Sequence, residues 1–332
     1  MRIAILGCGA MGTVMGAYLT KNGCPVDMID AYADHVKALN EKGAHIIGRV
    51  DFTVPVKALL PEDMEGIYDL VFLFTKQTAN DVVLPNLLPH LGPDSVVCTL
   101  QNGVPEPFVA EHVGADRTVG GTVMWGATFR GPGVSEQPME INIGKPLFAV
   151  GEISGEITER IKKVASVLEY MGPVKITDSL MKSRWEKLVI NACGSGMSAA
   201  CGCPFGELLN NPRAHACMSY LAHEVYLCGE AAGYQMPDHW QLGTSEQFET
   251  SQERFFRIYD RQREAKASML QDLEAGRRTE VNMINGYVCA TGDQYGIDTP
   301  YNDAVVDVVS RMEKGELPLS MENLQYFPTV TY

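Results

Sequence analysis

The sequence predicts an α/β domain built on a parallel sheet, followed by an all-helical domain. The first thirty residues alternate between a strand pattern, a glycine-rich turn, a helix pattern and a second strand pattern. Residues 68–74 form a near-continuous apolar run, which is typical of a parallel strand covered on both faces. Beyond residue 178 the pattern is helical throughout, and 332 residues suffice for two domains. We therefore predict domains at 1–178 and 179–332, with the boundary near Asp178.

The glycine-rich turn has the context that a dinucleotide-binding unit requires. Arg2–Leu6 predicts a strand, Thr13–Lys21 a helix, and residues 25–30 a second strand. The first glycine allows a tight turn, the second lets the backbone approach a pyrophosphate, and the third lets the helix pack on the strand. The alternative is a purely structural turn between strand and helix. We predict that the cofactor is bound by Gly7, Cys8, Gly9, Ala10, Met11 and Gly12.

Asp30 ends the second predicted strand, 18 residues beyond Gly12, where the acid that accepts the adenosine ribose hydroxyls is expected. A carboxylate there repels a 2′-phosphate. No Arg or Lys occurs in the next four residues, which are Ala31-Tyr32-Ala33-Asp34. Asp30 therefore favours NAD as the cofactor, with NADP as the alternative. In the structural alternative, Asp30 only caps the helix that begins near Ala33.

The remaining elements follow in order. The first domain continues with predicted helices over 33–42, 80–90 and 155–169, and with short extended pieces over 44–58. Its further strands are predicted over 95–100, 118–125, 134–144, 147–150 and 174–177. The second domain has predicted helices over 182–200, 211–233, 246–275, 280–295 and 300–314, with a break at Gly276 and a cap at Thr279.

Two polar tips mark a predicted ligand edge in the first domain. Lys76 and Asn102 each follow a predicted strand at its carboxyl end. In an open α/β sheet, ligands bind at the carboxyl ends of the strands. A second substrate is then expected in the cleft between the two predicted domains.

Composition excludes several classes of function. A net charge of −14 with no basic run argues against nucleic acid as a partner. No apolar run reaches about 18 residues and the chain opens directly on a strand pattern, so we expect a cytoplasmic protein without membrane association. Nine scattered cysteines fit free thiols in a reducing compartment. We predict no metal site, because neither Cys201-Gly-Cys203 nor His223-Glu224 has a second pair of ligands.

Several residues together resemble the ketopantoate reductase family, the 2-dehydropantoate 2-reductases. The resemblance covers essentially the whole chain and includes Lys76, Asn102, the Lys187-xxx-Asn191 helix, Ser268-Met-xx-Asp272 and Thr279-Glu280. It implies a Rossmann domain followed by a helical domain of the 6-phosphogluconate-dehydrogenase type. It also implies reduction of a small 2-oxo acid to the 2-hydroxy acid with a nicotinamide cofactor. A homodimer is left open.

By this resemblance, Lys187 is the general acid that protonates the substrate carbonyl oxygen, where an ammonium also stabilises the developing alkoxide. Glu280 contributes to substrate binding and catalysis, and Ser268 binds substrate. Asn102 holds the nicotinamide ribose and the lysine, and Lys76 contacts the cofactor. The spacing i, i+4 and i+8 predicts that Lys187, Asn191 and Ser195 line one stripe of a helix. The structural alternatives are a solvated Lys187, a helix-dipole role for Glu280 and a packing role for Ser268.

The chain departs from the family pattern on the substrate side. Ser195, Phe205 and Ala265 stand where the family usually has Asn, and Ala31 replaces a cofactor-binding Arg. A pocket without those polar groups discriminates poorly for a substrate hydroxyl, so the identity of the 2-oxo acid stays open. Two other functions remain as alternatives: an NAD(H)-binding sensor or partner protein without turnover, and an opine or 3-hydroxy-acid dehydrogenase.

Overall fold

The computed structural model describes residues 1–138, 140–141, 144–237 and 256–329. The chain divides into two compact units, Met1–Leu180 and Met181–Tyr332. None of the helices in these described ranges is both long and apolar enough to cross a membrane. All nine cysteines fall within the described ranges and are free thiols.

The first unit is built on a mostly parallel sheet, which confirms the predicted α/β class. Among the described residues the sheet has eight strands, in the order β12-β11-β8-β7-β6-β1-β2-β5. Their bounds are β1 Ile3–Leu6, β2 Asp27–Ile29, β5 Lys57–Leu59, β6 Tyr68–Leu73, β7 Leu91–Thr99, β8 Thr118–Val123, β11 Phe148–Gly151 and β12 Val174–Ile176. Only the β8–β11 pair is antiparallel. The chain leaves β1 in one direction and returns at β6 on its other side, and this change of direction is where an open α/β sheet binds its ligand.

Five helices accompany this sheet, and local signals define their ends. They are α1 Ala10–Lys21, α2 Ala33–Lys42, α3 Asn80–Leu87, α4 Glu106–Val113 and α5 Glu159–Leu168. The predicted bounds of α2 are confirmed. Helix α3 ends earlier than predicted and passes into a 3₁₀ turn over Leu88–His90, because Pro89 has no N–H to continue the α-helical hydrogen bonds. Helix α5 begins later than predicted because the Thr158 hydroxyl caps it, accepting the Ile161 N–H at 3.3 Å.

A second sheet covers helix α1. Its four described strands have the order β4-β3-β10-β9, with bounds β3 Ala44–Gly48, β4 Phe52–Val54, β9 Thr128–Gly131 and β10 Val134–Gln137. The Tyr18 hydroxyl of α1 donates to the Gln137 side-chain oxygen at 2.9 Å. The predicted strand over 134–144 ends at Gln137, because Pro138 has no N–H to continue the ladder, while residues 139, 142 and 143 lie outside the described ranges.

The second unit is helical, as predicted. Its helices are α6 Leu180–Ile190, which begins one residue before the boundary, α7 Gly196–Cys201, α8 Phe205–Asn210, α9 Pro212–Ala231, α10 Ser268–Glu274, α11 Val281–Tyr295 and α12 Pro300–Glu313. A π turn over Asn191–Ser195 joins α6 to α7. Gly276 adopts a φ of 64° after α10, and Thr279 accepts the Val281 N–H at 3.2 Å, which confirms the predicted break and cap.

The predicted long helix over 246–275 is interrupted in its described part. Residues 246–255 lie outside the described ranges, residues 256–260 are helical, and residues 261–267 form turns and irregular structure before α10. Backbone carbonyl groups of this irregular segment instead accept hydrogen bonds from the first residues of α8. The carbonyl of Arg263 accepts the Gly206 N–H at 2.8 Å, and that of Ala265 accepts the Phe205 N–H at 3.3 Å. These bonds replace the helical bonds that the pattern predicted.

Buried Glu224 links α9 to the start of α12 by hydrogen bonds. Its carboxylate accepts the N–H groups of Tyr301 and Asn302, both at 2.9 Å, and the Asn302 side-chain amide at 2.7 Å. Burial raises the pKa of Glu224 to about 7 against the opposing effect of these three donors. Glu224 therefore caps the start of α12 from another helix. The described residues contain no group of three or more side chains that could hold a metal ion.

Candidate active site

The glycine-rich turn connects β1 to α1 and is tightly packed at two of its glycines. Gly7 adopts a φ of 99°, and a Cβ there would collide with the backbone nitrogen of Thr75, the residue before Lys76. A Cβ on Gly12 would collide with the Gly7 carbonyl oxygen. Both positions therefore require glycine for backbone packing, as the sequence pattern predicts.

Gly9 differs from these two because it faces open space. A Cβ built on Gly9 would meet no atom within 4 Å. Gly9 is the N-cap of α1, and no side chain caps this helix. The first N–H groups of a helix have no acceptor within it and carry its positive dipole end, which suits a phosphate group. The open space over Gly9 and the uncapped helix end fit a dinucleotide pyrophosphate.

His35 supports the turn from behind, a role that sequence reasoning missed. Its Nδ1 accepts the Gly133 N–H at 2.9 Å, so the ring proton resides on Nε2. Nε2 lies 2.7 Å from the Cys8 carbonyl oxygen, which also accepts the Thr13 hydroxyl at 2.6 Å. Burial lowers the pKa of His35, and the ring is 1% exposed. Neutral His35 thus anchors the glycine-rich turn. Its position on the buried face of α2 is the one signal that could have indicated this role.

Asp30 lies half-buried after β2, at the carboxyl edge of the sheet. Its Oδ1 accepts the Tyr32 N–H at 2.9 Å, and Tyr32 is the N-cap of α2. The Asp30 side chain therefore bonds the N-cap residue and leaves its other carboxylate oxygen for further donors. The geometry is compatible with both readings of Asp30, as a ribose acceptor and as a support for the start of α2.

The segments that carry Lys76 and Asn102, after β6 and β7, are joined to each other by backbone and side-chain hydrogen bonds. The Phe74 N–H donates to the Leu6 carbonyl at 2.8 Å, so the ends of β1 and β6 are adjacent. The Gln77 side chain donates to the Asn102 carbonyl at 2.6 Å. The buried Gln101 amide donates to the Thr75 carbonyl at 2.8 Å and to the Asn80 side chain at 2.7 Å. These amides fix both polar tips at one edge of the sheet.

Lys187 lies half-buried on α6 in the second unit, close in sequence to buried Trp185 and Leu188. Burial, together with the positive charge of Arg184, lowers the pKa of Lys187 to about 8, against the opposing effect of the negative charge of Glu280. Arg184 and Glu280 are themselves buried, 1% and 6% exposed. Glu280 precedes α11 and does not cap it with its side chain. This environment differs from that of a solvated surface lysine.

The predicted stripe of Lys187, Asn191 and Ser195 is modified by the π turn. All three are half-buried, whereas the residues between Asn191 and Ser195 are buried. The spacing argument assumed a regular α-helix, but the π turn places an extra residue between Asn191 and the following helix. Ser195 is therefore rotated about the axis away from the predicted position. Ser268 lies exposed at the first position of α10.

Aromatic and small side chains lie beside this helix. The ring of half-buried Phe205 lies 5.1 Å from that of Tyr259. The Tyr259 hydroxyl donates to the Ile190 carbonyl at 2.8 Å, next to Asn191. Ala265 bonds Phe205 through its backbone. Phe205 and Ala265, two of the positions that depart from the family pattern, thus lie together beside Tyr259, which contacts the residue before Asn191.

Comparison with known proteins matches both units to one family. The family models "Ketopantoate reductase PanE/ApbA" and "Ketopantoate reductase PanE/ApbA C terminal" match residues 3–146 and 179–313. The 2-dehydropantoate 2-reductase of Archaeoglobus fulgidus is 29% identical over 317 residues, 95% of this chain and 98% of that protein.

Solved structures agree over nearly the full length. A 2-dehydropantoate 2-reductase from Geobacter metallireducens GS-15 has a TM-score of 0.82 at 28% identity, covering 94% of this chain and 99% of its own. A ternary structure of D-mandelate dehydrogenase with NADH and anilino(oxo)acetate has a TM-score of 0.83 at 25% identity, covering 95% and 99%.

The two-unit fold and these relatives define the class as oxidoreductases that reduce 2-oxo acids with a nicotinamide cofactor. The glycine-rich turn belongs to the first unit, and the helix that carries Lys187 belongs to the second. Within that class, the chain belongs to the ketopantoate reductase family. The relatives named above give no support to the alternatives of a sensor without turnover or an opine dehydrogenase.

Proposed function

We propose that this protein reduces a 2-oxo acid with a bulky apolar side chain to the 2-hydroxy acid, with NADH as the preferred reductant. The observation that carries the proposal is Lys187, a half-buried ammonium of depressed pKa beside the carboxylate charge of Glu280. Residues 1–178 bind the cofactor, and residues 179–332 bind and protonate the substrate.

The roles of the chain's own residues follow from their chemistry. When bound, the nicotinamide cofactor supplies the hydride. Lys187 donates a proton to the substrate carbonyl oxygen as negative charge develops there, and Glu280 keeps Lys187 protonated near neutral pH. Asn191, Ser195 and Ser268 hold the substrate by hydrogen bonds.

The cofactor is held entirely by residues of the first unit in this proposal. The backbone of Gly7–Gly12 receives the pyrophosphate, and Asp30 accepts the ribose hydroxyls. Lys76 contributes positive charge to an otherwise acidic protein, and Asn102 holds the nicotinamide ribose.

The apolar neighbourhood of Phe205 and Ala265 supports the choice of substrate class. An aromatic ring and a methyl group favour an apolar side chain and cannot hydrogen-bond a substrate hydroxyl. D-mandelate dehydrogenase, whose structure was solved with anilino(oxo)acetate, provides a relative that binds an aromatic oxo acid. An apolar substituent is therefore the substrate feature that these residues would recognise.

A substrate panel tests this proposal. NADH oxidation is measured with pyruvate, 2-oxoisovalerate, phenylglyoxylate and ketopantoate. We expect kcat/KM to be at least tenfold higher for phenylglyoxylate or 2-oxoisovalerate than for ketopantoate, because one buried apolar contact is worth about tenfold or more. The Phe205→Asn variant should narrow this ratio. A preference of the unaltered protein for ketopantoate would contradict the substrate class, and no oxidation with any oxo acid would contradict the enzymatic function.

The cofactor preference gives a separate prediction. We expect higher kcat/KM with NADH than with NADPH, because the Asp30 carboxylate repels a 2′-phosphate. Asp30→Ala should lower the ratio of kcat/KM with NADH to kcat/KM with NADPH by about tenfold, mostly through a lower KM for NADPH. Asp34→Ala is the control, since this exposed acid on the first turn of α2 has no assigned role. Equal use of both cofactors by the unaltered protein would refute the argument from Asp30.

We also propose a cytoplasmic location on the basis of the nine free thiols, which suit a reducing compartment. A homodimer stays a prediction.

A further inference from the structure

The helix that carries Lys187 is interrupted at the π turn, and a tyrosine hydroxyl occupies the interruption. The Tyr259 hydroxyl donates to the Ile190 carbonyl oxygen at 2.8 Å, and the Gly194 N–H hydrogen-bonds the same phenolic oxygen. In a regular α-helix the Gly194 N–H would bond the Ile190 carbonyl directly, because the two residues are four apart. The hydroxyl is therefore inserted into the backbone ladder, a recognised cause of local helix distortion.

Gly194 and Tyr259 are complementary in shape. A Cβ on Gly194 would overlap the Tyr259 ring and lie 3.0 Å from its hydroxyl oxygen. Tyr259 is 2% exposed, and burial raises its pKa well above the usual value, so the phenol keeps the proton that it donates. Glycine at 194 thus leaves the space in which the ring approaches the helix backbone.

The insertion lies within the candidate catalytic helix. Ile190 comes three residues after Lys187 and directly before Asn191, and the π turn ends at Ser195. The α-helical spacing from Lys187 to Asn191 is kept, whereas that from Asn191 to Ser195 is altered. The Tyr259 hydroxyl therefore acts where the π turn changes the direction of the Ser195 side chain relative to Lys187.

We propose that Tyr259 is a positioning residue whose hydroxyl holds the π turn and so orients Asn191 and Ser195 relative to Lys187. This inference rests on the proposed function, since it assigns those two side chains to the substrate. It goes beyond that function by giving a part in substrate recognition to a tyrosine that reaches the site only through the backbone.

The test uses Tyr259→Phe, which keeps the ring against Gly194 and removes only the hydroxyl. The Ile190 carbonyl and Gly194 N–H can then bond each other as the turn relaxes toward an α-helix, so we expect little change in Tm. We expect kcat/KM for the oxo acid to fall about tenfold through misplaced substrate-binding groups, with the Kd for NADH unchanged. Ser195→Ala should cost activity in the unaltered protein and little in the Tyr259→Phe background, because Ser195 is already misplaced there.

Tyr301→Phe is the matched control. Tyr301 is another buried tyrosine of the same unit, and its ring stacks on that of Tyr220 at 4.7 Å. This variant should keep wild-type kinetics. Wild-type kcat/KM in Tyr259→Phe, or an undiminished Ser195→Ala effect in that background, would overturn the positioning role. Normal turnover by Lys187→Ala would instead overturn the proposed function, so the two failures are distinguishable.

Discussion

Replacing Lys187 with Ala is expected to lower kcat for oxo-acid reduction by about 10²-fold or more, the scale of a lost general acid. The Kd for NADH should not change, because the residues assigned to the cofactor belong to the first unit. Lys187→Ala removes a buried charge but also takes a countercharge from buried Glu280, so the Tm is measured together with kcat. A loss of rate without a matching loss of folded protein at the assay temperature would then not reflect unfolding.

Lys182→Ala is the matched control for this prediction. Lys182 is a second half-buried lysine on α6, without an assigned role, and its removal should leave kcat unchanged. A kcat for Lys187→Ala within a few-fold of the unaltered protein would contradict the assignment of the general acid.

The pH profile provides an independent readout of the same residue. With a Lys187 pKa of about 8, kcat/KM for reduction should be level at lower pH and fall above about 8 as the ammonium loses its proton. Glu280→Gln removes a charge that raises this pKa, so the fall should begin at lower pH. A profile that stays level to pH 10 would be inconsistent with proton donation by Lys187.

Replacing Gly9 with Ala is expected to raise the Kd for NADH on the order of 10²-fold while leaving the fold intact. The added methyl group would enter the open space over the turn, where no protein atom lies within 4 Å, and would occupy the position assigned to the pyrophosphate. Titration calorimetry would measure the affinity, and thermal melting without cofactor would measure the stability.

Two other glycines provide comparisons for Gly9. Gly286→Ala places a methyl group at ordinary contact distance on α11 and should leave NADH affinity unchanged. Gly12→Ala should lower Tm, because its Cβ collides with the Gly7 carbonyl oxygen. If Gly9→Ala binds NADH normally, the pyrophosphate is not held over this turn.

The structural features that could be predicted from the sequence have local causes. The strand, turn and helix around Gly7–Gly12 follow from residues that are neighbours in the chain, as do the bounds of α2 and the cap at Thr279. Glycine, proline and capping residues act within a few positions of themselves, so their effects can be derived from sequence alone. The roles of the predicted site residues remain predictions that the variants above test.

The features that sequence could not predict depend on partners that are distant in the chain. The π turn depends on Tyr259, which lies 69 residues from the Ile190 carbonyl that it binds. His35 anchors the glycine turn through Gly133, 98 residues away. The strand pattern over 44–58 contained no indication that β5 joins the main sheet while β3 and β4 join another.

The sequence by itself determined the fold class, the glycine-rich turn between β1 and α1 and, through a resemblance, the family of this protein. Those features depend on residue types at short, regular spacings, where covalent geometry and local hydrogen bonding dominate. Only the tertiary structure decided the environment that lowers the pKa of Lys187 and the π turn that redirects Ser195. Both arise from burial and from hydrogen bonds between distant segments, which exist only once the chain has packed.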